Sequence, residues 1–252
     1  MEIGVSIERA KELITACKLN LSLETIHLDK ANGRILAKGL MSKVNDPRFD
    51  NSAMDGWAVK KEDCSSSNQT ILRIVGEIRA GSESIHTVNS GEACKITTGA
   101  PMPEGADAIV IVENSKIDGE NVIITGQAEE SFIRIKGENL SKGKLAIPEG
   151  TCMEPSTISL AATMGYDEIS VFRKPIIGII STGDELVMPN SEIKGWQIFE
   201  SNSFGIAALI EKMGGEPIRY GIVTDSMGQL RETMNDAVAV SYTHLRAHET
   251  SI

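Results

Sequence analysis

The sequence has few of the residues that mark several protein classes. Aromatic residues make up only 4% of the 252 residues, and only four cysteines occur, at positions 17, 64, 94 and 152. The cysteines are far apart and form no Cys-x-x-Cys pair, so they predict neither a zinc site nor a disulfide framework. We expect them to be small residues that are buried or half-buried in the fold.

An excess of basic charge and long apolar runs are also absent. The formal net charge is −10, and the Lys and Arg residues are scattered along the chain. Nucleic-acid binding depends on Lys and Arg contacts to phosphates, so no nucleic-acid partner is expected. No apolar run approaches the roughly 18 residues that span a membrane, and the N-terminus has no signal-peptide core. Together these absences predict a cytoplasmic protein without a membrane partner.

What the sequence does contain is enough apolar material for a substantial core. Hydrophobic residues make up 41% of the chain, and the length suits one large or two ordinary domains. Near the N-terminus, apolar residues recur with helical spacing over residues 6–17, and Ser6 is a suitable N-cap. Residues 25–40 predict a strand, a turn at 31–33, and a further strand or helix.

The middle of the chain is rich in short β-type runs. Gly, Asn, Asp and Ser separate these runs, which predicts a small barrel or sandwich. The runs are ILRIV (71–75), AIVIVE (108–113), NVIIT (121–125) and FIRI (132–135).

The last third alternates between helix and strand patterns. It predicts a helix at 154–166 with Gly165 at its C-cap, a strand at 176–180, a helix at 201–215, a strand at 216–225 and a helix from 226. The strand at 176–180 is continuously apolar, as expected for a strand buried on both faces. This alternation indicates a parallel, doubly wound sheet that is incomplete. An incomplete sheet leaves an open edge, so poor solubility or aggregation is expected.

Two polar segments are difficult to explain by packing. The first, DNSAMDGWAVK (50–60), surrounds one methionine with polar residues before an apolar pair arrives. The second, KITTGAPMPEGADAIV (95–110), contains two prolines, which fix backbone φ and stiffen a loop. Taken alone, the second segment is better interpreted as an ordinary hairpin connection.

A third polar segment, STGDEL (181–186), follows the first predicted strand of the doubly wound part. Ligands bind outside the carboxyl ends of strands in such sheets, and the free N–H groups of the helix after Ser201 and Asn202 can hold an anion. Asp184, Glu185 and Asp225 place three carboxylates near the same strand ends. With Mg²⁺, such carboxylates can bind an anionic ligand. The alternative is that Asp184 only caps a turn.

The C-terminal segment differs from the rest of the chain. His244 and His248 are four residues apart, a spacing that metal sites use on helices. We reject the metal interpretation, because residues 240–250 resemble the in-frame translation of a transposase adapter used in sequencing libraries. Residues 240–252 are therefore expected to be an artefact, and the native sequence is expected to stop near Ala239.

Five segments together resemble the molybdopterin molybdenumtransferase family, whose eukaryotic relative is the C-terminal domain of gephyrin. They are DNSAMDGWAV, ITTGAPMPEGADAIV, IRIKGENLSKG, ISTGDELV and ESNS, in the order and spacing of the family. The resemblance implies molybdenum cofactor biosynthesis. In that reaction molybdate is inserted into adenylated molybdopterin, AMP is released and Mg²⁺ assists.

The resemblance also implies a multidomain architecture of α/β and β type. A discontinuous helical and strand-rich N-terminal domain covers 1–45 and 138–172. An inserted β-barrel-like domain covers 46–137, and an incomplete doubly wound molybdopterin-binding α/β domain covers 173–239. The family forms a homodimer whose active site lies between the doubly wound domain of one subunit and the β-domain of the other. Molybdopterin adenylyltransferase and molybdoenzyme acceptors are the protein partners that it implies.

Site residues follow from the matched segments. The resemblance implies catalytic roles for Asp55, Thr98 and Glu185, and Mg²⁺ ligation by Glu185 and Asp225. Asp55 and Thr98 would position molybdate or the dithiolene, whereas Glu185 and Asp225 would act through Mg²⁺ and the adenylate phosphate. The substrate-binding set is Ser181, Thr182, Gly183, Asp184, Ser201, Asn202 and Asn139.

Two departures from the family pattern affect these expectations. Asn139 stands where the family often has aspartate, so a charge is missing. The family's Ser-Gly-Gly segment, its later proline-glycine loops and its C-terminal barrel are also missing, so we expect little transferase activity from the 252-residue chain. The competing function is a non-enzymatic pterin-binding protein or a gephyrin-like scaffold.

Overall fold

The computed structural model describes residues 4–16, 21–64, 69–83 and 86–242, and the side chains to residue 240. The chain divides into two compact units. The first unit comprises Met1–Lys38, Pro148–Ser159 and Asp167–Ile252, and the second comprises Gly39–Ile147 and Leu160–Tyr166. The division into three domains at the boundaries given above remains a prediction.

Four α-helices, sixteen strands and four short 3-10 helices make up the regular structure of the described residues. The helices are α1 (Ile7–Ala16), α2 (Pro155–Thr163), α3 (Asn202–Lys212) and α4 (Met227–Tyr242). The strands are β1 (Leu23–His27), β2 (Leu40–Met41), β3 (Asn51–Ser52), β4 (Gly56–Val59), β5 (Thr70–Ile78), β6 (Glu92–Ile96), β7 (Ala108–Ile111), β8 (Ser115–Asp118), β9 (Asn121–Ile124), β10 (Ile133–Arg134), β11 (Leu145–Ile147), β12 (Glu168–Phe172), β13 (Ile176–Thr182), β14 (Leu186–Val187), β15 (Ile198–Phe199) and β16 (Glu216–Val223).

The second unit is built on a curled six-stranded sheet in the order β7-β4-β6-β5-β9-β8. Strands β5 and β6 are parallel, whereas the other neighbours are antiparallel. Both faces are covered, since Trp57 and Val59 belong to one buried cluster and Ala58 to another. Successive side chains of a strand point to opposite faces, so β4 supplies both clusters. The sheet agrees with the predicted β-rich middle of the chain.

Gly56 opens β4 at a place where only glycine fits. A Cβ atom at this position would lie 2.0 Å from the carbonyl oxygen of Val110 on the neighbouring strand β7. No heavy atom is tolerated at that distance, so the glycine lets the two backbones approach closely. This close approach fixes the strand that directly follows Asp55.

In the first unit, β13 and β16 form a parallel pair, and α3 lies between them in sequence. The predicted β-α-β-α order is therefore present. The expectation that the strand at 176–180 is buried on both faces is wrong, because Ile177 is 40% exposed and only Ile179 is buried. Strand β13 pairs only with β16 among the described strands, so its remaining surface lacks the cover of a full doubly wound sheet.

Most of the remaining local predictions agree with the structure. Ser6 Oγ accepts the N–H of Arg9 at 3.2 Å, as an N-cap does. Gly165 follows α2 with a φ of 83° and donates its N–H to the Ala162 carbonyl. No residue of α1 is buried. In the described part of the chain, no helix is long and apolar enough to cross a membrane.

Three of the four cysteines lie among the described residues. Cys64 and Cys94 are buried as expected, whereas Cys152 is exposed, contrary to expectation. Cys17, His244 and His248 lie outside the described residues. Helix α4 continues to Tyr242, past the expected limit at Ala239. The adapter interpretation of residues 240–252 remains a prediction.

Candidate functional site

Asp55 is presented by a tight turn between β3 and β4. The hydroxyl of Ser52 donates to the carbonyl of Met54 at 2.5 Å, and the N–H of Met54 donates back to Ser52 Oγ at 3.2 Å. Ser52 is buried, and its hydroxyl makes its hydrogen bonds within this turn. The polar residues of this segment therefore have two structural roles. Ser52 shapes the turn, and Asp55 projects from it.

The proline-containing loop after β6 is fastened to this turn by backbone hydrogen bonds. The Ser52 N–H donates to the carbonyl of Ala100 at 3.0 Å, and the Gly99 N–H donates to the carbonyl of Ser52 at 2.8 Å. The Met102 N–H donates to Asp50 O at 2.9 Å. The ordinary hairpin interpretation is therefore incomplete, because the loop also holds the Asp50–Asp55 segment.

These bonds bring Asp55 and Thr98 together, as the sequence predicts for residues of one site. Asp55 Oδ1 accepts the Thr98 backbone N–H at 2.6 Å and the Thr98 hydroxyl at 2.9 Å. The backbone N–H first, and then the hydroxyl, hold the pKa of Asp55 below its ordinary value. Both residues are exposed. Within the described part of the chain, Asp55 Oδ2 has no hydrogen-bond donor, so it can accept one from a ligand.

In the first unit, the STGDEL segment forms the turn at the carboxyl end of β13. Gly183 is buried with a φ of 148°, and a Cβ there would lie 2.6 Å from Glu185 Oε2. The Glu185 carboxylate therefore lies close over Gly183. Asp184 Oδ1 accepts the backbone N–H of Asp225 at 3.2 Å. Asp184 thus bridges the ends of β13 and β16.

A protein carboxylate lies at the start of α3. The Ser201 side chain makes no cap hydrogen bond. Instead, the Glu200 carboxylate accepts the Ser203 N–H at 2.7 Å and the Ser203 hydroxyl at 2.6 Å. A protein carboxylate already satisfies the N–H of Ser203. The expectation that the other N–H groups at this helix start hold a ligand anion remains a prediction.

Sequence reasoning missed Glu200. It is 3% exposed, and among the described residues it is the single charged side chain in the buried set. Its position in the sequence could have indicated this role, because Glu200 directly precedes Ser-Asn at a predicted helix start. Carboxylates there are stabilised by the positive end of the helix dipole.

Asn139 lies in the second unit and contacts Asp46. Its Nδ2 donates to Asp46 Oδ2 at 3.2 Å, and its backbone N–H donates to Asp46 O at 3.0 Å. The hydrogen bonds of Asn139 in the described structure thus tie two chain segments together. They do not bring it to Asp55 or Thr98.

The described residues offer few ligands for a cation. No group of three or more His, Cys, Asp or Glu among them is arranged to hold a metal ion. Mg²⁺ commonly uses only one or two carboxylates together with substrate phosphates and water. The carboxylates at the ends of β13 and β16 fit that sparse kind of site, and they do not form an all-protein cage.

Two family models match the chain. The model described as "MoeA N-terminal region (domain I and II)" matches residues 5–165, which is more than half of the chain. The chain belongs to the MoeA family. The model described as "Probable molybdopterin binding domain" matches residues 178–243. In this MoeA chain, Asp55 and Thr98 lie in the first matched region and the STGDEL turn lies in the second.

Curated relatives and a solved structure agree with the family. Molybdopterin molybdenumtransferase from Nostoc sp. is 39% identical over 220 residues, covering 86% of this chain and 50% of the relative. The enzyme of the same name from Staphylococcus aureus strain MSSA476 is 31% identical, covering 93% and 57%. The molybdopterin biosynthesis MoeA protein from Pyrococcus horikoshii superposes with a TM-score of 0.83 at 32% identity, covering 94% of this chain and 62% of that one.

These similarities confirm the resemblance and the multidomain α/β and β fold that it implies. The chain spans about half the length of the curated relatives it matches.

Proposed function

We propose that this protein acts in molybdenum cofactor biosynthesis as a molybdopterin molybdenumtransferase. The proposed reaction inserts molybdate into adenylated molybdopterin and releases AMP. The observation that carries the proposal is the pairing of Asp55 with Thr98 in a chain of the MoeA family. The buried Ser52 and its backbone hydrogen bonds with Ala100 and Gly99 hold this exposed pair in place without using Asp55 Oδ2.

The ionisation state of Asp55 limits what it can do in this reaction. Its pKa is lowered by the bonds from Thr98, so the group is a carboxylate at neutral pH. A carboxylate only accepts hydrogen bonds. We infer that Asp55 Oδ2 orients a hydroxyl or thiol hydrogen of the substrate near the dithiolene, while Thr98 keeps Oδ1 fixed. Asp55 is therefore a positioning group for molybdate and dithiolene and cannot donate a proton to them.

The carboxyl edge of β13 and β16 is the proposed nucleotide side. Glu185 and Asp225 would hold Mg²⁺, which would offset the negative charge of the adenylate phosphate. Ser181, Thr182 and Gly183 end or follow β13, and Asp184 fixes the start of the next segment by accepting the Asp225 N–H. Ser201, Asn202 and Asn139 complete the proposed substrate set. For Asn139 the role is indirect, through its bond to Asp46.

The proposal extends to assembly and location. A homodimer, exchange with molybdopterin adenylyltransferase, delivery to molybdoenzymes and a cytoplasmic location all follow from the family resemblance. None of them rests on a contact within this chain.

The test is a reconstituted reaction with adenylated molybdopterin, molybdate and Mg²⁺, in which AMP release is measured. The chain is compared with its Asp55→Ala variant and with the Nostoc relative. We expect the chain to bind adenylated molybdopterin and to release AMP more slowly than the relative, of which it covers half. Asp55→Ala should keep binding and lose the remaining release. Absence of binding, or release that is unchanged by Asp55→Ala, would overturn the proposal and favour a non-enzymatic scaffold.

A further inference from the structure

A cavity of about 530 Å³ opens in the first unit, at the end of β13 opposite to the STGDEL turn. Lys174 and Pro175, which directly precede β13, line it together with residues 211–214 at the end of α3. Strand β13 is 7 residues long, which corresponds to roughly 23 Å of extended chain. The cavity is therefore separate from the proposed nucleotide side.

Backbone contacts hold the wall of this cavity in place. The Phe172 N–H donates to the carbonyl of Ile35 at 2.9 Å, and Ile35 forms a β-bridge with Cys152. Gly214 lies beside Gly33, since a Cβ atom at Gly214 would lie 3.9 Å from Gly33 O. The end of α3 is thus packed against the turn at Gly33. The cavity is preformed, as small-molecule sites usually are.

The lining of the cavity carries an excess of positive charge, although the whole chain has a net charge of −10. Its basic residues are Arg34, Arg173, Lys174 and Lys212. Glu211 is the one acidic residue among the described lining residues. Next to the lining, Glu24 accepts a hydrogen bond from Arg34, and its Oε2 lies 3.9 Å from Arg173 Nε. One carboxylate is thus shared by two guanidinium groups.

Two of the basic side chains have no carboxylate partner. In the part of the chain that the structure describes, neither Lys174 nor Lys212 forms an ion pair. Lys212 lies in the last turn of α3, where the negative end of the helix dipole opposes an anion and is offset by a cation. The chain also satisfies carbonyls of that turn itself, since the Met213 N–H donates to Leu209 O at 3.0 Å. The helix end therefore does not cancel the charge of Lys174.

Apolar side chains make up another part of the lining. Phe172, Pro175 and Met213 are among them. Small-molecule sites combine apolar side chains with a few charged groups in cavities of this size. Guanidinium and ammonium groups form charge-assisted hydrogen bonds with carboxylates and phosphates. The lining thus suits a ligand that has both an apolar part and a negative charge.

We propose that this cavity binds a small organic anion. The oxyanion group of the ligand contacts Arg173, Lys174 and Lys212, and its apolar body lies against Phe172 and Met213. The proposal goes beyond the transferase reaction and does not depend on it, because no lining residue belongs to the candidate site described above.

The charge of the cavity is tested with Cys152 as a reporter, because its thiol is exposed and lines the cavity. In a Cys17→Ser background, peptide mass spectrometry measures its alkylation by iodoacetate, an anion, and by iodoacetamide, which is neutral. The same thiolate attacks both reagents, so the ratio of the two rates reports the local potential. Lys174→Gln/Lys212→Gln should lower this ratio by about fivefold at low salt, through the loss of two nearby charges.

A matched control removes the same charge elsewhere. Lys116→Gln/Lys194→Gln changes two exposed lysines outside the lining and should leave the ratio unchanged. A ratio that is unaffected by Lys174→Gln/Lys212→Gln, or that falls equally in both double variants, would overturn the proposed excess of charge at the cavity.

Occupancy is tested with 2-naphthoate, which joins a carboxylate to an apolar body. At a concentration of about two Kd it should slow the iodoacetamide reaction of Cys152 by about threefold, because only the unoccupied chain reacts. This protection should be lost in Lys174→Gln/Lys212→Gln. 2-Naphthalenemethanol has the same body without the charge, and inorganic phosphate has charge without the body, so each should protect less. No protection by 2-naphthoate, or equal protection by the alcohol or by phosphate, would contradict the proposed ligand class.

Discussion

The carboxylate of Asp55 and the backbone N–H of Thr98 are joined by a 2.6 Å hydrogen bond, although the two residues are 43 positions apart in the chain. The Thr98 hydroxyl adds a second bond to the same oxygen. This pair exists because the turn at Ser52 and the loop at Gly99 exchange backbone hydrogen bonds. The contact is therefore built into the fold, and it leaves the other oxygen of Asp55 available.

Titration of Asp55 should show the effect of Thr98 directly. The midpoint, followed by NMR of the carboxyl carbon, is expected below the ordinary value of 3.8. Thr98→Val removes the hydroxyl bond and keeps the backbone bond, so the midpoint should rise only part of the way. Since the folded pKa is the lower one, the stabilisation from Asp55 is present above its unfolded pKa and is lost as pH falls through the folded pKa. A midpoint unaffected by Thr98→Val would exclude the hydroxyl bond.

If the Asp55–Thr98 pair takes part in turnover, Thr98 variants should differ in their rates of AMP release. Thr98→Ser retains a hydroxyl and should retain most AMP release in the reconstituted reaction. Thr98→Val should lower the rate by about tenfold, the scale of one hydrogen bond, because Oδ1 is then held by the backbone alone. Equal rates for the two variants would show that the hydroxyl has no role in turnover.

Gly56 should be intolerant of a side chain. Gly56→Ala places a Cβ 2.0 Å from Val110 O, and forcing β4 and β7 apart should destabilise the chain by about 3 kcal/mol. Gly205→Ala is the control, since Gly205 lies inside α3 with open space around it. That change should stabilise the chain by about 1 kcal/mol through helix propensity. Urea unfolding measures both effects, and a neutral Gly56→Ala would contradict the close approach.

Asn139→Asp should introduce a pH-dependent loss of stability. The new carboxylate would lie near Asp46 Oδ2, now 3.2 Å from Asn139 Nδ2, and the like charges should cost roughly 1 kcal/mol at neutral pH. Each carboxyl raises the pKa of the other in the folded chain. The penalty is therefore full above the folded pKa values, and it vanishes as pH falls below about 4, the unfolded pKa.

A compensating change provides the control for Asn139. The double variant Asp46→Asn/Asn139→Asp reverses donor and acceptor and should recover the wild-type unfolding midpoint at pH 7. A double variant as unstable as the single one would show that repulsion from Asp46 is not the cause.

The cysteines should differ in reactivity. Burial raises the pKa of Cys64 and of Cys94 to about 11 each, whereas Cys152 is exposed. In a Cys17→Ser background, iodoacetamide at pH 8 should modify Cys152 in the folded chain and the other two only after unfolding, because the thiolate is the reactive form. Peptide mass spectrometry measures the order. Early modification of Cys64 or Cys94 would contradict the burial of the six-stranded sheet.

Sequence reasoning identified the elements and the residues of the candidate site wherever a local pattern exists. Short β-type runs located β5, β7, β9 and β10, and helical spacing located the four α-helices, because these patterns follow from backbone geometry. Strands β4, β6 and β8 of the six-stranded sheet were not predicted. The five polar segments identified the family. They also selected Asp55 and Thr98, which the fold then brings into contact. The chemical roles of these residues remain proposals.

Other features depended on contacts between distant segments and were decided by the tertiary structure. Burial of β13 depends on the layers around it, so the apolar run at 176–180 could not reveal that Ile177 is exposed. The sequence predicts N–H groups available to an anion at the helix start after Ser201, and only the folded chain shows that Glu200 accepts the N–H of Ser203. The sequence by itself determined which residues are polar and where several of the helices and strands lie. The tertiary structure decided which partner each polar group has, because a hydrogen bond between Thr98 and Asp55, or between Asp225 and Asp184, depends on distances that no local pattern encodes.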